Sequence, residues 1–450
     1  MFKRNAMGNT RAKLLAGAVM MTLGLTAAGA AMSTNVFGGG ATLPAGGYVG
    51  WDFVSSSPAK IFSTSVSGQT GAIVDPNSLI GRWATNNSNA VAYCQTGSGN
   101  GKKIFDHFDG STSPGTPLVG GTGACTGTTS GFGALASAVD PHFAGSDAPM
   151  SQAEYSWFGL GGKTTANGEP VQFPSVVGSV AIAFNNPDVP TGGINLSDAG
   201  LCRIFSGQVS NWSQLLPAET GLSTALPSRA LSVAFRSDGS GTTFSLINHL
   251  STVCSSQHFT TDQSFAVATS GFTLPAGSAG ASGNAGVVAA IQATVGSIGY
   301  AESANLLHTP TATAVRTAKV NGFDPYANLP AVLTFSSLLL DNAIVGTNAN
   351  GTPHVQKLSP LPTVGNCMLM VNPADYANIP NQYPIVAVSN LIANEKGNGT
   401  DVTAVRSLFS SLYGTSAAAH PGVTTIGTGT GYAFVNAAVA AARVNACINS

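Results

Sequence analysis

Residues 231–250 read L-S-V-A-F-R-S-D-G-S-G-T-T-F-S-L-I-N-H-L. The first five predict a short buried strand, the glycines and serines a turn, and the apolar residues from Phe244 a helix. A strand that passes through a glycine-rich turn into a helix is the building unit of an α/β protein, and the helix start offers unpaired N–H groups that favour an anion. Further strand-like runs alternate with helix-like segments along the chain. Residues 176–184, V-V-G-S-V-A-I-A-F, predict a buried strand carrying one glycine. Polar stretches at 110–133, 271–286 and 348–353 predict surface loops, and residues 432–444 an alanine-rich helix too short to span a bilayer. No regular repeat is present. The expected fold class is α/β.

At 450 residues the chain exceeds one ordinary core, so two domains or lobes are expected. Hydrophobic residues make up 43% and charged residues only 8%, far below the roughly 25% of a typical soluble domain. Neutral polar residues must therefore cover the surface, and the apolar content excludes a disordered chain. Eighteen basic residues face nineteen acidic ones, with no basic block after the N-terminus, which argues against a nucleic-acid partner.

The first thirty residues predict a cleaved export signal: Lys3, Arg4, Arg11 and Lys13, an apolar run over 14–28, and small residues around Ala30. Removing those four cations leaves fourteen basic against nineteen acidic residues, a net charge of −5. The first cysteine is Cys94, so no lipid-bearing N-terminal cysteine is expected, nor membrane insertion after cleavage. A periplasmic or secreted location follows. Six cysteines in an exported chain suggest disulfides, with fifteen possible connectivities. Sequence order favours Cys94 with Cys125, Cys202 with Cys254, and Cys367 with Cys447. No C-x-x-C and no paired His spacing supports a metal.

Four segments carry the chemistry: G-G-G-A-T-L-P-A at 38–45, T-G-S-G-N-G-K-K-I-F at 96–105, F-A-G-S-D-A-P-M at 143–150, and F-R-S-D-G-S-G-T-T-F at 235–244. Taken singly, each reads more readily as a structural turn than as a ligand loop. The second imitates a nucleotide-binding P-loop, but only three residues separate Gly97 from Gly101 and Lys103 stands where Ser or Thr is needed. What joins the segments is rarity: in so charge-poor a chain, an Asp and an Arg set in Gly/Ser/Thr clusters invite one explanation.

At these residues the sequence resembles the phosphate-binding proteins of phosphate ABC transporters (PstS-like), and among them the DING proteins. G-G-G-A-T-L-P, G-S-D-A-P, L-C-R-I-F-S-G-Q-V-S-N-W and R-S-D-G-S-G-T-T follow one another in the family's order, from about Gly38 to Tyr300 and more loosely beyond. The DING start appears here as N-V-F-G-G-G at 35–40, keeping the glycines but not the name-giving residues.

The resemblance implies a two-lobed periplasmic-binding-protein fold of type II, with the ligand in the interlobe cleft. Lobe 1 would combine 32–173 with 302–450, and lobe 2 would span 174–301. The implied ligand is inorganic phosphate, the implied partner a phosphate ABC permease, and no cofactor is expected. Thr42 and Leu43, Ser98, Asp147, and Arg236 with Ser240, Gly241 and Thr242 would bind the anion, while Asp238 would orient Arg236. An ionised Asp147 beside an anion is useful when the ligand brings a proton, as monohydrogen phosphate does and sulfate does not. Two rivals remain open: a secreted DING-like phosphatase, and a surface protein reusing the fold. Against the first, there is no G-x-S-x-G elbow and no His spaced to a nucleophile, so no catalytic residue is assigned.

Overall fold

The computed structural model describes residues 35–50, 60–62, 72–108, 132, 140–309, 314–335, 338–339, 342–359, 367–413 and 419–450. The segment read as an export signal, residues 1–30, lies outside them, as does nearly all of the expected loop at 110–133.

A mixed sheet organises the chain. Its main strands are β1 (Asn35–Gly40), β2 (Lys60–Phe62), β3 (Ala72–Ile73), β4 (Ala90–Gln95), β5 (Phe143–Ser146), β6 (Pro170–Phe184), β7 (Ser232–Arg236), β8 (Ala279–Ala281), β9 (Ser297–Glu302) and β10 (Val386–Asn394). They lie in the order β3-β2-β4-β1-β5-β10-β6-β9-β7-β8. β1 runs parallel to β4 and β5, and β7 parallel to β8 and β9. Between these parallel groups stand β10 and β6, each antiparallel to its neighbours. Five helices position the residues of interest: α1 (Ala45–Val49), α2 (Ser98–Phe105), α3 (Gln152–Leu160), α4 (Gly241–Val253) and α5 (Gly283–Ala293).

β6 holds the two groups together. All fifteen of its residues are buried, as expected of a strand covered on both faces, and this is why its sequence is mostly apolar, broken by Gln172, Ser175 and Ser179, and does not alternate. Its first part pairs with β10 and its last five residues with β9. The expected lobe crossing between 173 and 174 falls inside this strand. Pro174 lacks an N–H, and the register shifts opposite it, between Ser389 and Asn390 of β10. The irregularity is tied down by Ser175, whose Oγ donates to the carbonyl of Ser389 at 2.9 Å.

Two segments depart from the sequence reading. Residues 432–444 are not one helix: Tyr432–Val435 form a strand, β11, paired antiparallel with β6, and the helix begins only at Ala438. The Tyr-Ala-Phe-Val run has the aromatic and β-branched residues that suit a strand, and the buried backbone of β6 at residues 176–178 decides in its favour. Residues 271–286 are not simply a loop, because β8 and the start of α5 lie within them. Small side chains mask both elements.

Cys202 is bonded to Cys254 and Cys367 to Cys447, each with a Cα–Cα distance of 5.5 Å. Cys94 is also disulfide-bonded, and Cys125 lies outside the described residues. Loops of 52 and 80 residues place each of these two bridges at about 4 kcal/mol on the chain-entropy scale.

α2 seats directly on β1. A Cβ at Gly101 would collide with the Cα of Gly40, so this glycine is required by close approach and not by its turn. Gly101→Ala is expected to destabilise the protein by about 1–3 kcal/mol, the usual scale for overpacking, as read from urea denaturation midpoints.

Candidate functional site

The carboxyl ends of β1, β4 and β5 deliver residues 41–43, 96–98 and 147 to one edge of the sheet, where open α/β sheets bind ligands. The loops are pinned to each other before any ligand is considered. Gly40 O accepts from Thr96 N and Gly97 N at 2.9 Å each, and Ala41 N donates to Gly145 O at 2.8 Å. Gly97 has φ +83° and precedes α2, a conformation that leaves Ser98 as the first helical residue.

Arg236 arrives from the end of β7 and is 2% exposed. Its Nε donates to Asp238 Oδ1 at 2.7 Å and its Nη2 to Asp238 Oδ2, a bidentate pair. Its Nη1 faces Thr42 Oγ1 at 3.2 Å, Asn284 Oδ1 at 3.2 Å and Thr242 Oγ1 at 3.4 Å. Burial raises the pKa of Asp238, but the Arg236 charge and hydrogen bonds, with the Gly283 N–H, outweigh it and hold the carboxyl below its usual range. One guanidinium thus bridges segments 194 residues apart.

Asp147 follows β5 and is 1% exposed. Oδ1 accepts from Ser389 Oγ at 2.6 Å and Oδ2 from Ser98 Oγ at 3.4 Å. Burial pushes its pKa up to about 6, against the opposing effects of the Ser389 hydrogen bond, the Arg236 charge and Ser98. Ser98 Oγ also accepts from Asp147 N at 3.1 Å and Gly241 N at 3.2 Å, so one hydroxyl joins the starts of α2 and α4. A Cβ at Gly241 would collide with Asp147, which explains the glycine there.

The structure brings Thr42, Ser98, Asp147, Arg236, Asp238, Gly241 and Thr242 into one buried cluster. The backbone N–H groups of Thr42, Leu43, Ser98 and Thr242 meet no protein acceptor among the described residues, and all four residues are buried. Leu43 contributes no side-chain polarity, and its carbonyl accepts from Tyr432 Oη. Ser240 is differently employed: its Oγ caps α4 by accepting from Thr243 N at 3.2 Å, and its N–H goes to Gln263 O. Among the described residues no group of three or more His, Cys, Asp or Glu is placed to hold a metal ion.

Two polar residues of the cluster are absent from the sequence reading. Asn284, in the first turn of α5, accepts from Arg236 and donates from Nδ2 to Thr42 Oγ1 at 3.1 Å. It sits in a segment that reads as loop. Ser389 fixes Asp147 from β10, and its only cue is the Ser-Asn pair that interrupts an otherwise apolar run, V-A-V-S-N-L-I-A.

Residues 78–357, more than half of the chain, match the PBP superfamily domain, and the protein belongs to that superfamily of two-lobed binding proteins. Alkaline phosphatase L of Pseudomonas aeruginosa (strain UCBPP-PA14) is 30% identical over 73% of this chain and 76% of its own length. The phosphate-binding protein PstS of Xylella fastidiosa (strain 9a5c) is 33% identical over 46% of this chain and 54% of its own. The solved structure of the high-affinity periplasmic phosphate-binding protein PfluDING, bound with phosphate, superposes with a TM-score of 0.57 at 26% identity, covering 92% of this chain and 93% of that one. Within the superfamily, the chain is a PstS-like protein of the DING branch.

The raised pKa of Asp147 has a definite sign in stability. The folded state holds this proton more tightly than the unfolded chain, so the contribution is full below pH 4 and is lost as pH rises through about 6. About two pH units at 1.36 kcal/mol each set the scale at about 3 kcal/mol. In ligand-free protein, thermal melts from pH 4 to 8 are expected to show Asp147→Asn gaining on wild type by that order as pH rises from 4 to about 6, and holding that gain at higher pH.

Proposed function

We propose that the protein is an exported, high-affinity binder of inorganic phosphate that serves as the substrate-binding component of a phosphate ABC uptake system. The observation that carries this reading is the convergence of the four loop segments on one buried cluster, where Arg236 faces Thr42 and Thr242 while Asp147 stands beside Ser98 and Gly241. In this reading phosphate takes the free N–H groups of Thr42, Leu43, Ser98 and Thr242, the hydroxyls of Thr42 and Thr242 and the Arg236 Nη1; Ser240 keeps its cap through a lone pair and turns its O–H to the ligand, and the Gly241 N–H and Ser98 hydroxyl exchange their mutual bond for it. Dipolar donors neutralise a dianion without a large net positive field. Asp147 accepts the proton of monohydrogen phosphate and repels sulfate. The lobes divide at 173/174 and 301/302, the leader is cleaved near Ala30, and a permease is the partner.

The Alkaline phosphatase L relatives favour a second reading, phosphoester hydrolysis. Local chemistry speaks against it. Ser240 Oγ is occupied as a helix cap. The buried imidazoles of His249 and His142, paired with the partly exposed Asp198 and Asp401, each turn the second ring nitrogen to a backbone group, Ala377 O and Phe37 N, instead of a hydroxyl to be activated.

Calorimetric titration of refolded, ligand-stripped protein with phosphate, sulfate and a phosphomonoester tests the reading. Tight phosphate binding without turnover is expected, and turnover of the ester would favour the second reading. Arg236→Ala is expected to weaken phosphate binding by about 2–4 kcal/mol, because a buried charge-assisted contact is lost. Unchanged affinity in the folded variant would remove Arg236 from the site.

Asp147→Asn is expected to change phosphate affinity little and to raise sulfate affinity, each tenfold gain being about 1.4 kcal/mol. Competition titrations check it, and a variant as selective as wild type would show that Asp147 does not read the ligand's proton.

A further inference from the structure

The P-loop-like segment 96–105 contains a lysine that makes no hydrogen bond to the side chains of the anion site among the described residues. Lys102, one turn into α2, is fully buried, and its Nζ lies 2.5 Å from Glu154 Oε1 of α3. A buried ammonium requires such a partner. Glu154 is fixed from its own side as well: Oε2 accepts from Ser151 N at 2.9 Å and Ser151 Oγ at 3.2 Å, in the capping box of α3. The carboxylate is therefore held in place before anything from across the cleft reaches it.

Gln263 makes that reach, its Nε2 donating to Glu154 Oε1 at 2.7 Å. Gln263 belongs to the segment between α4 and α5, and its carbonyl accepts from Ser240 N, the cap of α4, at 3.0 Å. The chain of contacts runs from α2 through Lys102, Glu154 and Gln263 to the start of α4. It joins the two helices whose first turns carry Ser98 and Thr242, yet none of its three side chains has a hydrogen bond to an anion-site side chain. A second seam lies beside it: Gly99 N donates to Gly239 O at 3.0 Å, and a Cβ on Gly99 would stand only 3.1 Å from Gly239 Cα. The seam has no side chain to strengthen it. A cavity of about 530 Å³ borders it, lined by Gly99, Gly239, Lys103, Glu154, Trp157 and Gln263. Solvent thus stands one backbone contact away from the buried cluster.

We infer that Glu154 and Gln263 are positioning residues that latch the cleft shut over the anion site and set how slowly its ligand leaves. The inference rests on the proposed function for its ligand and for the lobe division that sets Glu154 and Gln263 on opposite sides of the cleft, and on the contacts for the latch itself. A charge-assisted hydrogen bond formed only in the closed protein slows opening without altering the encounter with an open cleft.

Gln263→Leu removes the cross-cleft bond and leaves the Lys102–Glu154 pair intact. In stopped-flow measurements it is expected to release phosphate about tenfold faster, with association within about twofold of wild type and an unchanged melting temperature for ligand-free protein. Gln263→Glu, which sets a second carboxylate against Glu154, is expected to release it faster still. Off-rates equal to wild type in both folded variants overturn the latch, as does a lowered ligand-free melting temperature with an unchanged off-rate, the mark of a merely structural contact. Should wild type bind no phosphate, the proposed function fails separately, and the same off-rate comparison with whichever of sulfate or the phosphomonoester binds decides the latch: faster release from both variants supports it and equal release overturns it.

Discussion

The burial of Arg236 is the constraint around which the site is arranged. A guanidinium 2% exposed cannot be left unpaired, and Asp238 two residues on supplies the bidentate partner. That pairing uses Nε and Nη2 and leaves Nη1 directed at Thr42, Thr242 and Asn284. Because the pair is neutral as a unit, the positive end that faces the cluster is a directed donor more than a net charge. The spacing Arg-x-Asp arises from this geometry, since both residues must leave the same strand end together. The glycines after it let α4 start against Asp147, where a Cβ would collide.

The second organising feature is β6 with its irregular pairing. Parallel groups on either side need a strand common to both, and a fully buried fifteen-residue strand meets that need if its sequence is mostly apolar and its few polar side chains, Gln172, Ser175 and Ser179, are hydrogen-bonded. Pro174 breaks the ladder within it, and the register shift that accommodates Pro174 occurs at Ser389. The same serine donates to Asp147. A backbone defect in the centre of the sheet therefore adjoins the side chain that orients the acidic group of the site.

The α/β class is legible in residues 231–250 because strand, turn and helix each carry their own local pattern there. The loops around Thr42, Ser98, Asp147 and Arg236 are legible for a related reason: glycine and small polar residues at strand ends are needed by the backbone itself. Asn284 and Ser389 are not, because each acts through a single side chain whose partner is far away in sequence, 242 residues in both cases. No local pattern encodes such a meeting. Residues 432–435 mislead for the complementary reason, since alanines downstream favour helix and only the backbone of β6 at residues 176–178, left over by its other partners, makes the strand preferable. Lys102 shows a third situation. Its motif has the wrong spacing for a nucleotide site, and its partner Glu154 belongs to a capping box whose own local pattern gives no hint of a lysine on another helix.

These features together bear on selectivity under the phosphate reading. Asp147 is isolated from solvent and titrates near 6, so at neutral pH it is ionised and can only accept. A ligand that brings a proton satisfies it, and a fully ionised tetrahedral dianion leaves the carboxylate buried against like charge. Below about pH 6 the carboxyl holds its own proton and becomes a donor, to which either anion is acceptable. Discrimination by Asp147 is thus a property of the ionised form, and Ser389, Ser98 and the Arg236 charge serve it by opposing the effect of burial. Were burial unopposed, the carboxyl would titrate higher still, and the ionised form on which that discrimination depends would be less populated.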